Sequence, residues 1–166
     1  IKLDGKLTYD DWCQGISEGR GYVSDGLSHL IDFSVNGLEV GQNGSEVKLV
    51  KPGKVTVKAK VAGLLEPERE VLANIPHARL LRDKPEIAAQ PYVQKPFWHI
   101  ERARIGDSRN VNVEVVVNGH PVTSHKLEAD GTLHDIELEI PIEHSSWVAL
   151  RVLPSSHTNP VFVLVD

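Results

Sequence analysis

The chain has 166 residues, a formal net charge of −5 and 5% aromatics, which suits one domain whose core is built by Val, Leu and Ile. The acidic balance argues against a nucleic-acid partner, which calls for a basic face. The single cysteine, Cys13, rules out an internal disulfide and a cysteine-based metal framework, and no apolar run approaches the ~18 residues that span a bilayer.

Taken in chain order, the first element is a helix over 8–20. Thr8 suits the N-cap with Asp11 three residues on, Asp10 and Asp11 favour the positive end, Trp12 and Ile16 share a face, and Gly19 and Gly21 supply stops. Gly15-Ile16-Ser17-Glu18-Gly19 matches a nucleophile elbow in letters only, because that chemistry needs a strand before the serine and a helix after it. From residue 30 the period becomes two. Ile31, Phe33 and Val35 alternate up to an Asn36-Gly37 turn, and Val55, Val57, Ala59 and Val61 alternate with a lysine-rich face of the kind that protects sheet edges. Val111, Val113, Val115 and Val117 precede Asn118-Gly119, Ile136, Leu138, Ile140 and Ile142 follow Asp130-Gly131, and Val148, Leu150 and Val152 make one face of the next strand. The final Val161–Val165 run is apolar on both faces, as in a central strand. With short pieces at 38–40 and 46–50 and a run at 97–105, about eight strands are expected. This is a mostly β fold, an antiparallel β-sandwich of immunoglobulin-like kind with a short N-terminal helix.

Residues 62–96 break the pattern with Pro67, Pro76, Pro85, Pro91 and Pro96, and read as a proline-rich excursion, either a substrate lid or a docking loop. Just beyond it, Arg102, Arg104 and Arg109 read as a solvated strand edge and loop rather than a basic patch. The domain reading is therefore a linker and helix over 1–29 and a sandwich over 30–166 with the insertion 62–96. The chain contains no methionine, opens on Ile1-Lys2-Leu3 and ends in a strand, so it is expected to be a piece of a longer polypeptide.

Chemistry-bearing residues are sparse. Asp25 and His29 are the pair with metal-ligand character, although a site needs at least three protein ligands, and a loop cap beside a hydrogen-bonded histidine is the plainer reading. His120, His125 and His134 flank an expected hairpin where they would meet; the other histidines are scattered. Trp147 and Arg151 project to one face of a strand, where an arginine can stack on an indole. Trp98, Trp147, Arg151 and His157 are the ligand-binding candidates, with Tyr92 and Phe97 adding aromatics near Trp98. Asn43-Gly44-Ser45 is a glycosylation sequon, with meaning in a secreted eukaryotic protein alone.

Two segments carry a family likeness. One holds Tyr9-Asp10-Asp11-Trp12, the stretch Ile16-Ser17-Glu18-Gly19-Arg20-Gly21-Tyr22-Val23-Ser24-Asp25-Gly26, and then Phe33-Ser34-Val35-Asn36-Gly37 and Gly41. The other holds Ser146-Trp147-Val148-Ala149-Leu150-Arg151 and His157-Thr158-Asn159-Pro160-Val161-Phe162-Val163, with Val115-Val116-Val117-Asn118-Gly119 between the two. Together they resemble the C-terminal β-sandwich region of metallohydrolases of the CehA/McbA type, which carry a polymerase-and-histidinol-phosphatase (PHP) catalytic domain. The resemblance implies that the metal-binding clusters lie upstream of this chain. It also implies that the chain is a non-catalytic accessory domain packed on the catalytic domain of the same polypeptide. No cofactor, nucleic-acid or membrane partner is expected for the chain itself. The rival readings are a carbohydrate- or ligand-binding module, and a metal-binding hydrolase in its own right built on Asp25, His29 and other histidines.

Overall fold

The computed structural model describes residues 1–68 and 99–166. Thr8 Oγ1 accepts from the Asp11 N–H at 3.1 Å and starts helix α1 (Tyr9–Ser17). The helix ends at Ser17 because Gly19, at φ 74°, turns the chain away.

Eleven strands follow among the described residues: β1 (Tyr22–Ser24), β2 (Ser28–Val35), β3 (Leu38–Glu39), β4 (Glu46–Leu49), β5 (Gly53–Gly63), β6 (Asn110–Val117), β7 (His120–Glu128), β8 (His134–Ile142), β9 (Ser146–Val152), β10 (Ser156–Thr158) and β11 (Val161–Val165). One sheet runs β3-β2-β5-β8. In the other, β7, β6 and β9 lie side by side, and the far side of β9 is shared. Its C-terminal half pairs β10, which pairs β1; its N-terminal half pairs β11, which pairs β4. At the switch from β10 to β11, Thr158 Oγ1 accepts from the Leu150 N–H at 3.0 Å and continues the ladder where the main chain departs.

The two sheets enclose one core. Val55, Val57, Ala59 and Val61 of β5 and Ile136, Ile140 and Ile142 of β8 face Val111, Val113 and Val115 of β6, Val148, Leu150 and Val152 of β9, and Val161 and Val163 of β11. The period-two runs read from the sequence are these inward faces, and the architecture is a mostly β sandwich. Asn36 (φ 49°) with Gly37 (φ 80°), and Asn118 (φ 49°) with Gly119 (φ 89°), make the two tight hairpins. β1 and the start of β2 fall within the stretch 1–29, so sheet pairing begins at Tyr22.

Four local expectations change. Ile31 does not share the inward face of Phe33, because a bulge between Ile31 and Ser34, with Asp32 at φ 53°, shifts the register and turns Leu30 inward instead. The lysine-rich strand β5 is not an edge but lies between β2 and β8. Its lysines form a cross-strand ladder, Lys54 to Glu139 at 2.9 Å, Lys58 to Glu137 at 3.0 Å and Lys60 to Asp32 at 3.6 Å. β4 runs parallel to β11, so the sheets are not wholly antiparallel. Where a strand was expected over 97–105, residues Ile100–Ala103 form a 3-10 turn with Ile100 fully buried.

Most of the excursion 62–96 lies outside the described residues, but its borders are secured. β5 continues to Gly63, and the Leu65 N–H donates to the Ala129 carbonyl at 2.9 Å. Arg104 and Glu101, with side chains 1% and 4% exposed, form a two-pronged ion pair at 2.7 and 2.9 Å. Arg104 also donates to the carbonyls of Ser108 and Glu66, and Arg109 to those of Leu65 and Ala129. These two arginines are internal clasps, not the solvated loop expected of them.

Candidate functional site

The outer face of the second sheet carries a groove lined by three of the residues singled out in the sequence, Trp147, Arg151 and His157. β9 alternates, so Val148, Leu150 and Val152 enter the core while Trp147, Ala149 and Arg151 face out. Neighbouring strands extend these positions into three rows. Phe162 is the register partner of Trp147, Val116 that of Ala149, and Glu114 and His157 flank Arg151 from either side. A groove of about 560 Å³ runs over this surface, walled by Leu153, Pro154 and Pro160.

The aromatic end is held in place by the β6–β7 hairpin. Asn118 Oδ1 accepts from the Trp147 N–H at 3.0 Å, and the Asn118 N–H donates to the Trp147 carbonyl at 3.1 Å. Phe162 is 43% exposed although its strand is interior to the sheet. At the opposite end Arg151 Nε donates to Glu114 Oε2 at 2.7 Å, both side chains being about a quarter exposed. Trp147 and Arg151 therefore share a face as the spacing requires, but four residues of strand, about 13 Å, separate their backbones, and the guanidinium is committed to Glu114 rather than to the indole. Asn159 ties the groove's rim to the end of α1, its Nδ2 donating to the Gly19 carbonyl at 2.9 Å.

Of the four sequence candidates, Trp147, Arg151 and His157 converge on this groove, and Trp98 lies outside the described residues together with Tyr92 and Phe97. Phe162, Glu114 and Val116 were missed. The signal for Phe162 was present in the two-sided apolar pattern of Val161–Val165, but that pattern reads as burial on both faces, whereas Phe162 is exposed. Glu114 and Val116 needed the β6–β9 register, which no local pattern supplies.

The metal candidates separate into structural roles. Asp25 Oδ1 accepts from the Leu27 N–H at 3.0 Å and Oδ2 from the Ile100 N–H at 2.7 Å, so the carboxylate anchors the border of the excursion. His29 Nδ1 lies 2.7 Å from the Tyr22 hydroxyl, the two rings edge to face. Burial holds the Tyr22 hydroxyl above its ordinary range. β7 and β8 belong to different sheets, so His120 and His125 do not meet His134 across a hairpin. His134 Nε2 instead lies 2.8 Å from Thr132 Oγ1. Among the described residues no three His, Cys, Asp or Glu side chains come together in a way that could hold a metal ion. Ser17 of the elbow-like motif ends α1, with no strand before it. In the sequon, Asn43 is exposed while Ser45 is buried, its Oγ accepting from the Gly41 N–H at 2.7 Å.

No family model, curated protein or solved structure matches this chain.

Proposed function

We propose that this chain is a non-catalytic accessory sandwich, immunoglobulin-like in kind, of a larger metal-dependent hydrolase of the CehA/McbA PHP type. It docks on the catalytic domain of the same polypeptide through helix α1. The observation that carries this reading is the uncovered apolar side of that helix. Tyr9, Trp12 and Ile16 fall at i, i+3 and i+7, one stripe of a helix, and are 76%, 43% and 48% exposed. Leu7, 68% exposed, adjoins them in sequence, and Tyr9 and Trp12 have ring centroids 6.3 Å apart. Within α1 only Gly15 is buried, so the stripe contributes little to the fold of the isolated chain. Apolar clusters of this kind mark interaction surfaces.

The N-terminal segment is nevertheless fixed to the sandwich, which gives such a docking face a rigid mount. The Lys2 N–H donates to the Arg20 carbonyl at 2.7 Å, and Lys2 Nζ reaches Glu39 at 2.6 Å and Asp32 at 2.9 Å. Arg20 pairs with Glu18 at 2.7 Å and Asp4 at 3.0 Å. Catalysis is assigned to the upstream domain, and no chemical step is assigned to residues of this chain. The test is turnover of phosphate, carboxylate and carbamate esters by the purified chain with zinc, manganese or iron supplied. No hydrolysis above the buffer rate is expected, and metal-dependent turnover would overturn the reading.

A further inference from the structure

We propose that the groove over β9 and β11 is a binding site for a neutral saccharide. The site lies on a sheet face, is separate from the α1 stripe, and goes beyond the accessory reading without resting on it.

The argument starts from the order of side chains along the groove. At one end Trp147 and Phe162 stand side by side as register partners. Next come Ala149 and Val116, both buried, which form the floor between the two ends of the groove. At the far end Arg151 and His157 line the groove, and Glu114, the β6 neighbour of Arg151, lies just outside its lining and holds the guanidinium. The distance from the aromatic row to the charged row is about 13 Å, four strand residues, the length of a short oligosaccharide. A groove with an apolar floor and a few fixed polar groups is the general form of a small-molecule site.

The chemistry of the two ends selects the ligand. A pyranose presents an apolar face of C–H groups and an equatorial ring of hydroxyls. Trp and Phe provide flat apolar surface for the first. A charged donor and acceptor locked together provide for the second: Arg151 retains guanidinium N–H groups beyond the Nε bound to Glu114, and the carboxylate retains lone pairs beyond the one it gives to Arg151. Because Glu114 neutralises Arg151, the groove offers strong hydrogen bonding with little net charge. That disfavours a phosphate or carboxylate ligand, for which an unneutralised arginine would be expected. A purely apolar ligand would leave the charged row covered and unsatisfied.

The test is titration of the whole chain with a panel of neutral oligosaccharides of glucose, xylose, mannose, galactose and N-acetylglucosamine, followed by backbone amide NMR. At least one panel member is expected to shift resonances of Ser146–Val152 and Val161–Val165. Phe162→Ala, at an exposed position that leaves the core intact, and Arg151→Ala should each weaken that binding about tenfold or more. Trp12→Ala should leave it unchanged. Shifts confined to other surfaces, affinity unaffected by both groove variants, or no response to any panel member would overturn the proposal. Inorganic sulfate or phosphate binding at Arg151 in place of the sugars would overturn the neutral-ligand assignment. None of these outcomes bears on ester turnover or on the α1 stripe, so the two proposals fail separately.

Discussion

At the scale of single residues, backbone demands and buried charge matter most. Gly41 combines a φ of 87° with Arg20 Cα and N only 2.9 Å from where a β-carbon would stand. A left-handed backbone costs a side chain about 1–2 kcal/mol and overpacking about 1–3 kcal/mol more. Gly41→Ala should therefore destabilise the chain by about 2–5 kcal/mol in urea melts. Arg104→Ala would leave the Glu101 carboxylate buried without its partner, a defect worth about 3–5 kcal/mol. It should also loosen the border at Glu66, read as faster amide exchange there. The Lys2 cluster sets pH limits. The hydrogen bond from Lys2 holds the Asp32 carboxyl below its ordinary value of 3.8, so its stabilisation is present above that value and is lost as pH falls below it. The hydrogen bond to Glu39 holds Lys2 above 10.5, so that contribution is present below 10.5 and is lost at higher pH. Both are partly exposed pairs worth about 0.2–1 kcal/mol each after screening. Tyr22, raised by burial, keeps its proton in the fold beyond the point where the unfolded chain ionises, so stability should also decline above pH 10.0. Lys2→Ala should flatten the acid limb of a pH–stability curve while leaving the Tyr22 contribution in place. The Thr8 cap and the two Asn-Gly turns were legible as local chemistry, whereas the Asp32 bulge was not, because it exists only against the register of β5.

At the scale of elements, every long alternating run became a strand, because one face of each had to be buried and period two fixes which residues go there. Ile140, 1% exposed, is one such residue, and Ile140→Ala should cost about 2–5 kcal/mol, with Val50→Ala, at an 87% exposed site, close to neutral. What the runs did not reveal is which sheet each strand joins. Lysines on alternate positions of β5 suggested an edge, and only the pairing with β8 shows them facing Glu137 and Glu139 in mid-sheet. Likewise Asp130-Gly131 suggested a hairpin, yet the chain there crosses between sheets, with Leu64 bridging to Asp130. The short β1 and β10 carry too few residues for a period to register, whereas β4 matches the short piece expected at 46–50. The candidate site followed the same division. Trp147, Arg151 and His157 were visible from residue type and spacing, while their companions Phe162 and Glu114 came from strand pairing.

At the scale of the whole molecule, one core joins the two sheets, and among the described residues two surfaces carry the proposals. One is the α1 stripe, proposed to meet a catalytic domain. The other is the β9 groove, proposed to take a neutral saccharide. Among the described residues no helix is long and apolar enough to cross a membrane. The two surfaces have different expected partners, so Trp12→Ala and Phe162→Ala form a crossed pair of variants. The first should weaken association with a catalytic domain and spare sugar binding, and the second the reverse.

The most direct measurement is amide hydrogen exchange across Tyr9–Ser17, made on the isolated chain and on the full natural polypeptide. Burial of the Tyr9, Trp12 and Ile16 stripe against a catalytic domain should slow exchange of the helix by about tenfold or more in the longer protein. Equal exchange in the two, or a natural polypeptide with no hydrolase domain, would contradict the accessory reading.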